Sequence, residues 1–315
     1  MHPAYSVIFF TTASGAGLGL IVWLGLANLL GLLPAMPSFG YFTVLVALGL
    51  LSIGLLSSTF HLGRPERAWR AFSQWRSSWL SREGLAASAT YLPTLAFAIG
   101  WDRLGDNSGY VALAGAVAAL LALVTLYTTG MIYASLPTIR AWNQPLTAPA
   151  YIVLGLASGA VLMALMLAVF DYVPTWAVWL AITSLAAGWV IKRLYWRKID
   201  SDKPRHTVGQ ATGLGGLGQV RPLDPPHTMP NFVMREMGFE VGRKHACKLR
   251  HFAVVLAFVV PAVLVVLMLA GGSVINIILA VLAVMSAAAG LVMERWLFFA
   301  EAEHVSMLYY GREAA

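Results

Sequence analysis

Long apolar runs separated by short polar breaks dominate the chain. Eight such runs cover about residues 6–33, 41–60, 84–100, 110–136, 148–170, 174–195, 252–270 and 273–299. A membrane helix needs roughly 20 predominantly apolar residues to cover a hydrocarbon core of about 30 Å. Barrel strands would be about 10 residues long with alternating polarity, and these runs are longer and unbroken. The pattern therefore predicts an all-α integral membrane protein, an eight-transmembrane-helix bundle with both termini on the same side. Pro34 and Pro37 close the first run, Pro137 and Pro145 bracket a loop, and Gly271-Gly272 make a tight turn between the last two. Pro93 and Pro261 fall inside runs, which is tolerable where a neighbouring helix or water satisfies the freed carbonyl. Small residues such as Gly15, Gly17, Gly19, Gly155 and Gly159 suggest close helix packing, and Asn28 and Asn276 suggest hydrogen bonds between helices.

The first run begins near Ser6 without a basic leader and is longer than the core of a secretory signal, so it reads as a retained helix. Three parts follow: residues 1–196 with the first six helices, a basic Gly/Pro-rich extramembrane segment over 197–250, and residues 251–315 with the last two helices and a tail. The middle segment reads as lying across a partner subunit, with 232–250 forming a short surface helix. Its run Gly213-Leu214-Gly215-Gly216-Leu217-Gly218 lacks the preceding strand and Gly-Lys-Ser/Thr of a phosphate loop.

Charge orients the bundle. Of the twenty-one Lys and Arg residues, only Arg103 falls on the side opposite the termini. Lys and Arg accumulate on the cytoplasmic side, so the termini and the loop after the second helix are expected there, in the inner (cytoplasmic) membrane. A net charge of +7 is thus explained by topology, with membrane lipid and not nucleic acid as the contact. Apolar residues make up 59% and charged ones 11%, against about 25% charged in soluble domains.

The loop after the second helix reads His61-Leu62-Gly63-Arg64-Pro65-Glu66-Arg67-Ala68-Trp69-Arg70, followed by Trp79-Leu80-Ser81-Arg82-Glu83 at the next helix start. An imidazole accepts a proton near neutral pH and a carboxylate can carry it to water. Arginine orients a carbonyl oxygen by hydrogen bonding, and Trp69, Trp75 and Trp79 could wall an aromatic head group. These are the ingredients for quinone chemistry at a membrane boundary. Interfacial Trp and Arg also serve as plain anchors, and a glutamate near a helix start is favoured by the helix dipole. Glu294-Arg295 in the last helix are either deep functional charges or a structural ion pair near the surface. The histidines, His2, His61, His206, His227, His245, His251 and His304, all lie at ends, in loops or in the tail, so no bis-His haem between spans is expected. The single Cys247 allows no intrachain disulfide and no cysteine-ligated iron–sulfur cluster. No catalytic residue for a head-group substrate and no metal site are expected.

With His61-Leu-Gly-x-Pro-x-Arg67-Ala ending the second helix, Leu80-Ser-x-Glu83 opening the third, and His2-Pro3 before the first, the chain resembles the membrane anchor subunit family of dimethyl sulfoxide reductase. The resemblance implies a three-subunit complex: a molybdopterin catalytic subunit, a ferredoxin-like iron–sulfur subunit, and this chain as a haem-free anchor reacting with menaquinone or ubiquinone. By motif position it makes His61, Arg67 and Glu83 quinone-site residues, and proximity adds Arg64 and Arg82. Related complexes with a cytoplasmic catalytic head oxidise sulfite and reduce quinone, which fits the inferred orientation. A reductase-type anchor oxidising quinol, a structural anchor without a quinone site, and a transporter are the alternatives.

Overall fold

The computed structural model describes residues 2–61, 63–221, 223–224, 229, 231–238 and 241–312, without the side chains of His61 and Val241. It is all-helical: among the described residues there is no β-strand, only an isolated bridge between Ile139 and His304. Eight long helical stretches follow one another: α1 Tyr5–Leu29, α2 Pro37–Ser58, α3 Trp79–Leu104, α4 Gly109–Ala134, α5 Thr147–Val169, α6 Thr175–Ser201, α7 Ala246–Leu267 and α8 Ser273–Ala300. Each predicted run has its helix. Seven are long and apolar enough to cross a membrane. The exception is α3, 26 residues long, with Arg82 and Glu83 near its start, Asp102 and Arg103 near its end, and Pro93 between them.

Local chemistry sets the ends. α1 stops earlier than its apolar run because Gly31, at φ 66°, turns the chain towards Pro37 at the first turn of α2. In α7 a π-helical turn, Val255–Val259, precedes Pro261. An i→i+5 turn would direct the missing proline N–H at the Leu256 carbonyl. Ser286 of α8 donates to that oxygen at 2.8 Å, so a neighbouring helix satisfies the carbonyl the proline frees.

α1 sits at the centre, packed against α2, α4, α5 and α8. The glycines make this possible. A Cβ on Gly19 would lie 1.9 Å from the Gly155 carbonyl oxygen, and one on Gly159 would lie 2.1 Å from the Gly19 carbonyl carbon. The two asparagines serve connections instead of other helices. Asn28 donates to the Asn107 carbonyl between α3 and α4 at 2.8 Å, and Asn276 to Gly271 in the α7–α8 turn at 3.3 Å.

Cross-links place the start of α1, the end of α2, the α4–α5 connection and the ends of α6 and α8 at one end of the bundle. Ser57 donates to the Ser6 carbonyl, Tyr195 to Ala141, and Trp142 to Phe298. The segment after α6 folds back on this same end. Arg205 donates to both the side chain and the carbonyl of Asn143, and the Tyr309 hydroxyl donates to the Ala211 carbonyl. The single surface helix expected over 232–250 is instead divided into Phe232–Met237, Val241–Lys244 and the first turns of α7.

Candidate functional site

The motif residues gather at this end, around the connection between α2 and α3. A 3-10 turn, Thr59–His61, continues α2. The His61 side chain and Leu62 lie outside the described residues. A second 3-10 helix, Pro65–Phe72, starts on a proline whose fixed φ suits a first turn, and none of its residues is buried. Arg64 and Arg67 are exposed and make no side-chain hydrogen bond or ion pair among the described residues. Arg70 lies over the Trp69 ring at 5.7 Å and Arg76 over Trp75 at 5.3 Å, so the aromatic residues are paired with arginines at the surface.

Arg82 and Glu83 are neighbours in sequence, and successive helical residues point about 100° apart. Arg82 turns back to the loop. Its Nε donates to the Trp75 carbonyl at 2.8 Å and its Nη2 to the Arg76 carbonyl at 2.7 Å, with the guanidinium over Trp79 at 4.2 Å. Glu83 turns inward and is 3% exposed. The Thr129 hydroxyl of α4 lies 2.5 Å from its Oε1. Thr129 itself sits 2.9 Å from the Thr125 carbonyl, which fixes its rotamer. The structure thus brings Arg64, Arg67 and Arg82 to one surface and places Glu83 one layer behind them.

Behind Glu83 is a buried ionic group. Lys192 of α6 lies 2.5 Å from Glu294 of α8, both side chains 1% exposed. Arg295 approaches the same carboxylate at 3.5 Å and lies over the Tyr151 ring at 3.7 Å. Tyr151 stacks on Tyr133 with centroids 5.4 Å apart. Of the two readings of Glu294-Arg295, the structure bears out the deep placement, and the group includes a third charge. Nearer the end of the bundle, Arg250 makes two-pronged contacts with Asp200 and with Glu301, tying α6, α7 and the end of α8 together.

A small cavity between α1, α4, α5 and α8 is bordered by Thr129, Tyr151, Ser158 and Arg295 among others. An apolar groove of about 200 Å³ between α1, α2, α5 and α8 shares Thr12, Ser158 and Leu291 with it.

The family model of the DMSO reductase anchor subunit (DmsC) matches residues 1–311. The chain belongs to this family. It is also 36% identical over 332 residues to a sulfite dehydrogenase subunit of Allochromatium vinosum, a match spanning 98% of this chain and 99% of the relative. The anchor is thus a multi-pass membrane subunit of an oxidoreductase family.

Sequence reasoning singled out Glu83 and the basic loop as candidates and did not single out Thr129, Tyr151 or Lys192, which the structure buries in the interior. A threonine in an apolar run gives no signal on its own. Lys192 falls within the sixth apolar run, near its end, and the run itself does not tell that the side chain turns inward.

Proposed function

We propose that the anchor is quinone-reactive: it holds a quinone at the α2–α3 connection, where an iron–sulfur partner subunit serving a molybdopterin subunit exchanges electrons with it. The relative bears the name of a sulfite dehydrogenase subunit, which favours sulfite as the substrate of the catalytic partner and quinone reduction as the direction. In that direction each quinone takes up two electrons and two protons. His61 and Glu83 hold and move the protons, Arg67 and Arg64 orient a carbonyl oxygen with their open donors, and Arg82 keeps the loop in place.

The observation that carries this reading is Glu83 itself. A carboxyl group buried in the first turns of α3, one residue from a loop of exposed arginines, is costly unless it is used. In this reading α3 is the eighth span, with both termini and the His61 loop cytoplasmic. At 1.5 Å per residue its length is roughly 39 Å, enough to cross. Its threonines are no obstacle, because Thr90 and Thr94 donate to carbonyls one turn back inside the bundle.

The test uses the intact complex. Glu83→Gln is expected to lower quinone-linked turnover about 100-fold, the scale of a lost proton-transfer group, measured relative to dye-linked oxidation by the same preparation. An unchanged ratio rejects the quinone role of Glu83.

A further inference from the structure

The cavity beside Arg295 and the apolar groove adjoin along one crevice between α1 and α8, floored by α5. On α1 they border neighbouring faces at the same level. On α5 and α8 the cavity takes the positions nearer the termini, Tyr151 and Arg295, and the groove the deeper ones, Leu162 and Val284. Tyr151 to Leu162 and Arg295 to Val284 each cover about 16 Å at 1.5 Å per residue, close to half of a hydrocarbon core of about 30 Å. The rim residues Phe9, Ala288 and Val292 are exposed, so the groove opens on the outside of the bundle. With 28 residues α8 is about as long as a bilayer with its headgroup layers. Arg295, about 7 Å inside its end, falls where headgroups give way to chains.

The two parts differ in chemistry. The groove is walled by apolar side chains, whereas the cavity, about 20 Å³, has room for one oxygen-sized atom and not for a ring. Hydroxyls in its wall, those of Thr11, Thr12, Ser14, Thr129 and Ser158, already donate to acceptors within the protein. The Tyr151 hydroxyl is sealed off. Arg295 is the donor left over. It is 4% exposed and makes no hydrogen bond among the described residues. Its contact with an acid is the 3.5 Å approach of Nε to Glu294, a carboxylate whose other oxygen is held by Lys192. Asp200, Glu301 and Glu303 are taken by Arg250 and Arg243. A buried cation is costly unless it is both paired and hydrogen-bonded.

We propose that this crevice binds one anionic phospholipid of the leaflet at the termini end, with a phosphoryl oxygen in the cavity against Arg295 and an acyl chain along the groove. The order of the two parts is that of an amphiphile in that leaflet, polar end outward and chain towards the middle. Charge complementarity selects the class: a guanidinium gains about twice as much from an ionised oxygen as a neutral donor does from a neutral one. The site is separate from the α2–α3 connection and does not rest on the quinone reading. The lipid completes the packing between α1 and α8 and supplies Arg295 with the acceptor that the protein does not.

The experiment is native mass spectrometry of the intact protein, purified in mild detergent and offered equal amounts of phosphatidylglycerol and phosphatidylcholine. The wild type is expected to retain one phosphatidylglycerol per chain in preference to phosphatidylcholine. Arg295→Gln leaves Lys192 and Glu294 paired, and is expected to retain about tenfold less, the scale of one charge-assisted hydrogen bond, with the preference gone. Ala288→Phe fills the groove without touching Arg295 and is expected to lose the lipid. Ala289→Phe, an exposed neighbour outside the groove lining, is expected to keep it. Phosphatidylglycerol should raise the melting temperature of the wild type and Ala289→Phe and not of the other two, because only a bound ligand stabilises. Wild-type retention in Arg295→Gln, or equal retention in Ala288→Phe and Ala289→Phe, overturns the site. The alanine pair decides it should Arg295→Gln fail to fold. A quinone retained in place of the phospholipid, or equal retention of the two lipids by the wild type, overturns the assignment to an anionic lipid.

Discussion

Lys192 Nζ lies 2.5 Å from Glu294 Oε1 with both side chains shut off from the surface, and the adjacent Arg295 shares the same carboxylate. Two cations therefore depend on one anion. Glu294→Gln strands both cations, whereas Lys192→Met leaves Glu294 still facing Arg295. Breaking a buried pair costs about 3–5 kcal/mol when a charge is left uncompensated. Glu294→Gln is expected to reach that range and Lys192→Met to fall well below it, as read from thermal unfolding of the purified protein. Equal losses in the two variants would falsify the shared-anion arrangement.

Arg82 holds the α2–α3 connection through two carbonyls, Trp75 and Arg76. A planar guanidinium spans both at once, and a single ammonium does not. Arg82→Ala and Arg82→Lys are both expected to make the segment around Arg76 cut several-fold faster by trypsin in native membranes. A lysine variant as resistant as wild type means the fork geometry is immaterial.

The α1–α5 contact has no room for a methyl group. Gly159→Ala puts a Cβ 2.1 Å from backbone carbon of Gly19, and overpacking of this kind costs about 1–3 kcal/mol or more. Gly49 in α2 has nothing within 4 Å of its would-be Cβ. Gly159→Ala is expected to lower the melting temperature and the folded yield, with Gly49→Ala at or above wild type. The same loss at both positions would point to glycine flexibility as the cause.

His304 caps the turn Val305–Tyr310, its Nδ1 accepting from the Ser306 N–H at 3.1 Å. Burial holds its pKa below the ordinary 6.5, because the charged imidazolium is disfavoured there. A depressed folded pKa means the unfolded chain binds the proton more readily. This contribution to stability is therefore full above the ordinary value and is lost as pH falls through the folded one. Melting curves between about pH 7.5 and 5 are expected to differ from those of His304→Asn, which keeps an acceptor but does not titrate. Parallel profiles reject the coupling.

How far the sequence could be read follows from what each residue needs. Helix positions were legible because a span needs a run, and Pro37, Gly271 and Gly272 punctuate the runs locally. The close packing of Gly19 on Gly155 and Gly159 was legible for the same reason: small residues at helical spacing have few other uses in apolar helices. The interior chemistry was not. Thr129 gains its meaning only from Glu83, 46 positions away, and Lys192 only from Glu294, and no periodicity links either pair. Nor does the order Arg82-Glu83 reveal that the two side chains serve opposite layers. That depends on how α3 is rotated against α4.

Of the eight helices described, α1 precedes the others in the chain and ends in the middle, enclosed by α2, α4, α5 and α8. The part of its glycine face that meets α5 does so only after more than a hundred further residues have been made, and α8 is the last of the eight. Gly17 finds its partner in α2 and Gly25 in α4, so it is the stretch around Gly19 that waits for α5. The chain order of its neighbours thus means that the surroundings of α1 are complete only once α8 has been made.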